Sequence, residues 1–277
     1  MKRKVILVTG ASSGIGRDAS EILAAEGHTV YGAARRVEKI AEIPGVIPMH
    51  LDVTDEYSSK KCIDTILEKE GRIDVLINNA GYGYFGPIET VPLEDARNQL
   101  EVNLFGLARL TKEVIPHMRE SGGRIINLSS IAGRVTLYLG GWYHVSKYAV
   151  EAFSDALRAE LKPFGIHVVM IEPGGIRTNW GSIAAEHLES SAKGTPYETP
   201  AFNEAGVLKY AYSSKWLESP KVVARAIRKA VDRKHPRARY IVGTGARTLL
   251  FFHWLLPSKT WDSLVRLGGK IHIGREA

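Results

Sequence analysis

The stretch KVILVTGASSGIG, residues 4–16, decides the fold. Lys4–Val8 is an apolar, β-branched run that predicts a buried strand ending at Thr9-Gly10. The spacing from Ile15 to Glu26 then predicts a helix, which Gly27 closes. The glycines between strand and helix, spaced Gly-x-x-x-Gly-x-Gly, would let the backbone approach a pyrophosphate, and a helix start offers unpaired N–H groups. We interpret this segment as a dinucleotide-binding turn, although a tight turn with close helix packing would also explain the glycines.

Short apolar runs alternate with helical patterns as far as residue 243. Because parallel neighbours need long crossovers, the alternation predicts an α/β, doubly wound Rossmann fold with a mostly or fully parallel seven-stranded sheet. Further strands are expected at Thr29–Ala33, Val46–Leu51, Val75–Ile77, Arg124–Leu128, His167–Ile171 and Tyr240–Val242, and helices at 55–70, 94–120, 142–163 and 219–232. No linker divides the chain, so we expect one domain over 1–243 and a C-terminal extension, 244–277, packed on it. The polar, turn-rich stretch 179–217 is expected to be a lid insertion.

The composition excludes several classes of protein. Of the 277 residues, 44% are hydrophobic and 24% charged, which excludes a disordered or fibrous chain. The single cysteine, Cys62, excludes an internal disulfide, and His50, His117 and His167 are too scattered to predict a metal site. The run Val5–Val8 is too short for an export signal or a membrane span, so we expect a cytoplasmic protein.

The net charge of +7 is concentrated near the C-terminal end. Residues 221–277 hold thirteen Lys and Arg against three Asp and Glu, together with the apolar run Thr248–Leu256. A solvated basic face explains the charge, and the apolar run could cap a pocket or extend a subunit interface. The alternative is peripheral contact with an anionic membrane. Nucleic acid is not expected as a partner, because no finger, homeodomain or basic-zipper pattern accompanies the charge.

The end of the second predicted strand bears on the cofactor. An acid there suits a free ribose 2′-hydroxyl, whereas an arginine suits a 2′-phosphate. The chain has Arg35 and Arg36 at this point and no acid until Glu38. Two surface arginines at a helix start would look the same, but the guanidinium groups favour NADP(H) over NAD(H).

Several motifs, taken together and in this order, resemble the short-chain dehydrogenase/reductase family from about Lys4 to Gly243. They are the glycine turn Thr9–Gly16, Leu51-Asp52-Val53, Asn78-Asn79-Ala80-Gly81, Asn103, Ser130, the pair Tyr143 and Lys147, and Pro173-Gly174 with Thr178. The resemblance implies hydride transfer between a nicotinamide and a carbonyl or alcohol. The catalytic residues that it implies are Asn103, Ser130, Tyr143 and Lys147. The cofactor-binding residues that we expect are Gly10, Ser12, Ser13, Gly14, Ile15, Gly16, Arg35, Arg36, Asp52, Val53, Asn79, Ala80, Gly81, Tyr143, Lys147, Pro173, Gly174, Ile176 and Thr178.

The residue types themselves support these roles. Tyr143 and Lys147 are four residues apart and share a helix face, where an ammonium would lower the phenol pKa. Ser130 would hydrogen-bond the substrate oxygen, and Asn103 would help hold a proton-relay water near Lys147. His144 is expected to take no part, because the adjacent helical position points elsewhere.

The substrate and the partners are less constrained. The expected pocket residues are Tyr84, Leu137, Tyr138, Trp142 and Trp180, and this aromatic wall suits a hydrophobic, steroid-, retinoid- or lipid-like molecule. The resemblance is closest to the hydroxysteroid and retinol dehydrogenase branch, and it implies a homodimer or homotetramer built on the helices near 94–120 and 142–163. A non-catalytic NADP-binding regulator or scaffold with the same fold is the competing class.

Overall fold

A computed structural model describes residues 3–267 and Lys270, and in it seven strands form one sheet. All neighbouring strands are parallel, in the order β3-β2-β1-β4-β5-β6-β7, which confirms the predicted fold. The strands are β1 Val5–Thr9, β2 Thr29–Ala34, β3 Val46–His50, β4 Val75–Asn78, β5 Gly123–Leu128, β6 Ile166–Pro173 and β7 Arg239–Val242. Each lies within two residues of its predicted bounds.

The strand order creates a crevice between β1 and β4. The chain builds outward from β1 through β2 to β3, and then returns to pair β4 with the other side of β1. Such a reversal leaves a gap at the carboxyl ends of the two central strands, because the following connections diverge to opposite faces. The glycine turn begins at this gap.

Helices cover both faces of the sheet. They are α1 Gly14–Ala25, α2 Glu38–Ala41, α3 Glu56–Glu70, α4 Leu93–Leu100, α5 Leu107–Met118, α6 Gly141–Leu161, α7 Trp180–Ala192, α8 Glu198–Ser213, α9 Lys221–Asp232, α10 Ala246–Leu255 and α11 Ser258–Val265. Ile6 and Val8 of β1 pack into one apolar layer with α1 and α9, and Val5 and Leu7 pack into the other with α3, α5 and α6. Side chains of a strand alternate between faces, so a strand buried on both sides is apolar throughout.

The predicted helix 94–120 is divided into three parts. A π-helical segment, Glu101–Gly106, separates α4 from α5. Such a segment inserts an extra residue per turn and commonly re-aims a functional side chain. Here the segment carries Asn103.

The stretch 179–217 consists mainly of helices, which its turn-rich sequence did not indicate, and its role as a lid stays a prediction. It contains α7 and α8, which pack on each other through buried small side chains. These are Ala184, Ala185, Ala192, Ala201 and Ala205. Alanine at helical spacing makes a close helix contact, but it carries little of the apolar contrast by which a sequence pattern is recognised.

The extension after residue 243 folds back through Trp261. This side chain is 3% exposed, its Nε1 donates a hydrogen bond to the Thr136 carbonyl oxygen at 3.2 Å, and its ring lies 4.9 Å from that of His253. Within the described residues, no helix is both long and apolar enough to cross a membrane. The predicted extension also includes residues 268–269 and 271–277, which lie outside the described residues.

Candidate active site

A cavity of about 1430 Å³ lies at the carboxyl ends of the central strands. It joins the glycine turn to the Tyr143 region. The predicted site residues that line it are Gly10, Ser12, Ser13, Gly14, Ile15, Arg35, Arg36, Asp52, Val53, Asn79, Ala80, Gly81, Ser130, Leu137, Tyr143, Lys147, Pro173, Gly174, Ile176, Thr178 and Trp180.

Five predicted site residues do not line this cavity: Gly16, Tyr84, Asn103, Tyr138 and Trp142. The Tyr84 hydroxyl donates to Asp95 at 3.0 Å and its ring stacks on His187 at 4.2 Å, so this side chain is engaged elsewhere. A Cβ on Gly16 would lie 2.4 Å from the Gly10 carbonyl oxygen. Gly16 is therefore required for the close packing of α1 on the glycine turn. Of the five residues expected in the substrate pocket wall, only Leu137 and Trp180 line the cavity.

The glycine turn has the geometry of an anion site. Gly10 and Gly14 have φ angles of +66° and +54°, a region that favours glycine. Ser13 is the N-cap residue of α1, but its side chain makes no capping hydrogen bond. It therefore leaves the backbone amides of the first helical turn uncapped. Gly14 and Ile15 of that turn line the cavity. These groups fit a cofactor pyrophosphate.

Asn79 holds the turn in place. Its backbone N–H and that of Ala80 both donate to the Thr9 hydroxyl oxygen at 2.9 Å. The Asn79 side chain donates to the Thr9 carbonyl oxygen at 2.9 Å. The loop after β4 is thereby fixed to the end of β1.

Arg35 and Asp52 both line the end of the crevice that follows β2 and β3. Asp52 accepts hydrogen bonds from the Thr54 backbone N–H at 3.0 Å and the Thr54 hydroxyl at 2.7 Å. Burial opposes ionisation of Asp52, but these bonds and the positive charge of Arg35 lower its pKa overall. Arg35 itself is exposed and lines the cavity, as a residue that meets a ribose phosphate would.

The buried end of the cavity brings Tyr143, Lys147 and Ser130 together. The Lys147 Nζ atom lies 6.0 Å from the centre of the Tyr143 ring and donates to the Leu128 carbonyl oxygen at 2.8 Å. Ser130 Oγ accepts from the Ala132 backbone N–H at 3.1 Å and donates to the Pro173 carbonyl oxygen at 3.3 Å, and it is close enough to Tyr143 to influence the pKa of the phenol. Tyr143 and Lys147 of α6 therefore form one group with Ser130, which follows β5.

The predicted lowering of the Tyr143 pKa by Lys147 is wrong. Burial raises the pKa of Tyr143 to about 12, against a smaller opposing effect of the Ser130 side chain. Burial lowers the pKa of Lys147 to about 8, opposed by the negative charge of Glu151. Desolvation disfavours the charged form of both residues.

Asn103 lies behind the cavity wall. Its Oδ1 accepts from the Tyr82 backbone N–H at 3.0 Å, and its Nδ2 donates to the Tyr82 carbonyl oxygen at 2.9 Å and to Ser146 Oγ at 3.0 Å. A Cβ on Gly81 would lie 3.0 Å from Asn103 Oδ1 and 3.9 Å from Lys147 Nζ. The side chain therefore fixes the backbone beside Lys147, and its role with a relay water stays a prediction.

His144 is a structural residue at the edge of the cavity. Its Nε2 accepts from the Leu137 backbone N–H at 3.0 Å, and burial lowers its pKa to about 4. The ring therefore stays neutral and is committed to the loop before α6.

Helix α8 supplies several cavity residues, of which Glu204, Leu208 and Ala211 were not predicted from the sequence. Its face with i, i+4, i+7, i+8 spacing carries Glu204, Leu208, Ala211 and Tyr212, and all four line the cavity. The ring centre of Trp180 is 5.5 Å from that of Tyr212 and 5.1 Å from that of Tyr143. The spacing was the available signal, but it is informative only once this stretch is known to be helical.

A buried ion-pair network lies behind β6. Glu172, fully buried, pairs with Arg239 at 2.9 Å and with Arg134 at 3.2 Å. Arg239 also contacts Glu151 at 3.1 Å and Asp155 at 2.7 Å. This network links α6 to strands β6 and β7.

A separate polar group lies where α1 leads into β2 and where α9 ends. Glu26, His28 and Asp232 each bring one potential ligand atom to within 4.8 Å of the others. Arg228 already pairs with Glu26 at 2.9 Å, so positive charge is supplied there by the protein itself. We interpret the group as an ion-pair cluster.

Comparisons with known proteins agree with this geometry. A family model described as short chain dehydrogenase matches residues 4–188. A probable short-chain type dehydrogenase/reductase VdlC of Helicobacter pylori is 38% identical over 94% of this chain and 96% of that protein. A 3-ketodihydrosphingosine reductase of Bacteroides thetaiotaomicron is 35% identical, with 94% of each chain covered. An NADPH-dependent 3-dehydrocapnine reductase of Ornithobacterium rhinotracheale is 34% identical over 93% of this chain and 94% of that protein.

Solved structures lead to the same conclusion. A short-chain dehydrogenase from Streptomyces avermitilis superposes with a TM-score of 0.78 at 35% identity, covering 96% of this chain and 98% of that one. One from Burkholderia cenocepacia, in complex with NADP, has a TM-score of 0.73 at 25% identity, covering 95% and 98%. The chain is therefore an oxidoreductase that belongs to the short-chain dehydrogenase/reductase family.

Proposed function

We propose that the protein interconverts a carbonyl and an alcohol on a hydrophobic small molecule by NADP(H)-dependent hydride transfer. One observation carries the proposal: a single cavity joins the glycine turn to the buried group of Tyr143, Lys147 and Ser130. A bound NADPH would supply the hydride, and the cavity's other wall would hold the molecule that accepts it.

The protein's own residues would then manage the proton and the oxygen. With its pKa raised, Tyr143 carries its proton at neutral pH and donates it to the carbonyl oxygen. Ser130, which lies beside Tyr143, holds the same oxygen where charge develops. Lys147 returns a proton towards Tyr143 and holds the nicotinamide ribose, and Asn103 is a positioning residue behind it.

The aromatic wall supports a hydrophobic substrate. Trp180, Phe85, Leu208 and Tyr212 surround the approach to Tyr143, with the rings of Trp180 and Phe85 5.4 Å apart. Two relatives are named as reductases of a keto and a dehydro compound, which agrees with carbonyl reduction.

The competing proposal is a non-catalytic NADP-binding regulator. We would assay hydrophobic ketones and alcohols with both forms of NADP and NAD. We expect the wild-type protein to turn over at least one substrate. No turnover with any combination of substrate and cofactor would favour the regulator.

Arg35 is proposed to set the preference for NADP(H) over NAD(H). Arg35→Asp should lower the NADP-to-NAD ratio of kcat/KM about 10- to 100-fold, because a charge-assisted hydrogen bond is replaced by repulsion. Steady-state kinetics with both cofactors would measure the ratio. Arg225→Asp, an exposed position on α9, is the matched control and should leave the ratio unchanged. An unchanged ratio in Arg35→Asp would assign recognition of the phosphate to other residues, Arg36 and Ser12 first.

A homodimer or homotetramer is proposed on the surface of α6 and the π-helical segment. Phe105, Val145 and Tyr148 are exposed apolar residues on this surface, which supports the proposal. Light scattering at micromolar concentration should show an oligomer, and Phe105→Asp should shift it towards the monomer. A monomeric wild-type protein would contradict the proposal.

We further propose a cytoplasmic protein whose basic extension meets an anionic membrane. On α10, Leu249 lines the cavity, whereas Phe251, Trp254 and Leu255 are exposed. A hydrophobic substrate could therefore enter from the lipid surface. Flotation with phosphatidylserine-containing vesicles at low salt should carry the protein upward, and Phe251→Glu with Trp254→Glu should abolish this. Wild-type protein that stays at the bottom would rule the contact out.

A further inference from the structure

Glu204 is a carboxylate that α8 presents to an otherwise apolar part of the cavity. Its Oε2 atom is buried and, among the described residues, accepts no hydrogen bond. Its helical neighbours Ala201 and Ala205 are fully buried, and Leu208, one turn later, lines the same cavity. The protein therefore leaves a hydrogen-bond acceptor unused inside its cavity.

Structural stability does not explain this carboxylate. A buried charge without a partner destabilises the folded state. Burial raises the pKa of Glu204 to about 7, and no charged group among the described residues offsets that effect. By contrast, Glu189 on the facing helix α7 pairs with Lys209 at 2.7 Å. A carboxylate kept without such a partner is suited to a ligand that brings the cation.

The position of Glu204 separates it from the reacting group. Tyr212, eight residues later on the same face, packs against Trp180, whose ring contacts Tyr143. Eight helical residues span about 12 Å along the axis. Along α8, the cavity wall therefore carries the carboxylate of Glu204, the apolar side chain of Leu208 one turn later, and Tyr212 towards the proton-transfer group.

We propose that Glu204 is an ammonium-binding subsite, and that the substrate is an apolar carbonyl compound or alcohol that also carries an amine. The proposal rests on the proposed function for its substrate class. An ammonium offers three donors and no acceptor, so it satisfies the unused oxygen and supplies the missing charge. The apolar wall takes the remainder of the molecule. Glu204 thus selects among hydrophobic substrates and takes no part in proton transfer.

The test is binding of decylamine and decanol, of equal chain length, to the full-length protein without added cofactor. Calorimetry at pH 8 keeps both the carboxylate and the ammonium charged. We expect decylamine to bind wild-type protein at least about tenfold more tightly than decanol, as a charged hydrogen-bonded pair in an apolar site predicts. Glu204→Gln should remove that preference and leave decanol binding unchanged. Glu186→Gln, the same change at an exposed position on α7, should preserve it.

Each outcome decides the proposal. Equal binding of the two probes to wild-type protein would overturn it, as would a preference that persists in Glu204→Gln. If Glu204→Gln bound neither decylamine nor decanol, the proposal would also be overturned, because Glu204 would then act as a neutral hydrogen-bonding group. Glu204→Gln removes a buried charge, so its Tm should not fall, and Glu204→Leu provides a second variant with the same expected loss. Because no hydride is transferred in this experiment, inactivity in the ketone assay would count against the proposed function and leave this result standing.

Discussion

Tyr143→Phe should lower kcat roughly 10²- to 10⁴-fold, the usual contribution of a positioned acid or base. The substitution removes the hydroxyl beside Ser130 and keeps the buried ring against Trp180 and Phe85. The Kd for NADPH should change little, because the glycine turn and Arg35 are untouched. Steady-state kinetics with an accepted ketone and titration with NADPH would separate the two effects.

Tyr148→Phe is the matched control for this prediction. Tyr148 is on the same helix, is 40% exposed and does not line the cavity. Its kcat should equal that of the wild-type protein. If Tyr143→Phe retained full turnover, the proton would have to come from another group and the assignment of Tyr143 would be wrong.

Arg239→Met should destabilise the fold by about 3–5 kcal/mol, the cost of removing one partner from a buried ion pair. The change leaves Glu172, which is fully buried, with Arg134 alone, and leaves Glu151 without its ion-pair partner Arg239. Urea denaturation monitored by circular dichroism would give the free energy of unfolding.

Arg158→Met tests whether the effect comes from burial. Arg158 pairs with Asp155 at 2.7 Å, but both side chains are more than a third exposed. Such surface pairs contribute about 0–1 kcal/mol. Adding Glu172→Gln to Arg239→Met should recover part of the loss, since it removes the unpaired charge. A loss in Arg239→Met no greater than in Arg158→Met would show that the network is not stabilising.

The sheet was predictable because parallel strands carry their signal locally. Strands such as β1 and β5 are buried on both faces, so they are short continuous apolar runs between helical patterns. The glycine turn and the Tyr143–Lys147 spacing are equally local. The sequence therefore indicated most of the residues that line the cavity around the glycine turn.

The remaining features depend on contacts between distant residues. Glu151 and Arg239 are 88 positions apart, and neither is recognisable as part of a network without the fold. The direction of the Tyr143 pKa shift depends on burial by α7 and α8, whose alanine-rich contact gives a weak pattern. Glu204 was not predicted either, because a single acidic residue in a polar stretch resembles a solvated side chain.

The most direct test of the proposed activity is the transfer of deuterium from NADPH labelled at both positions of nicotinamide C4 to a hydrophobic ketone. The alcohol would be isolated after incubation with wild-type protein and analysed by mass spectrometry. We predict one deuterium on the carbinol carbon, and product formation that falls to a small residual level with Tyr143→Phe. An alcohol that contains no deuterium, or equal product with both proteins, would contradict hydride transfer in the Tyr143 cavity.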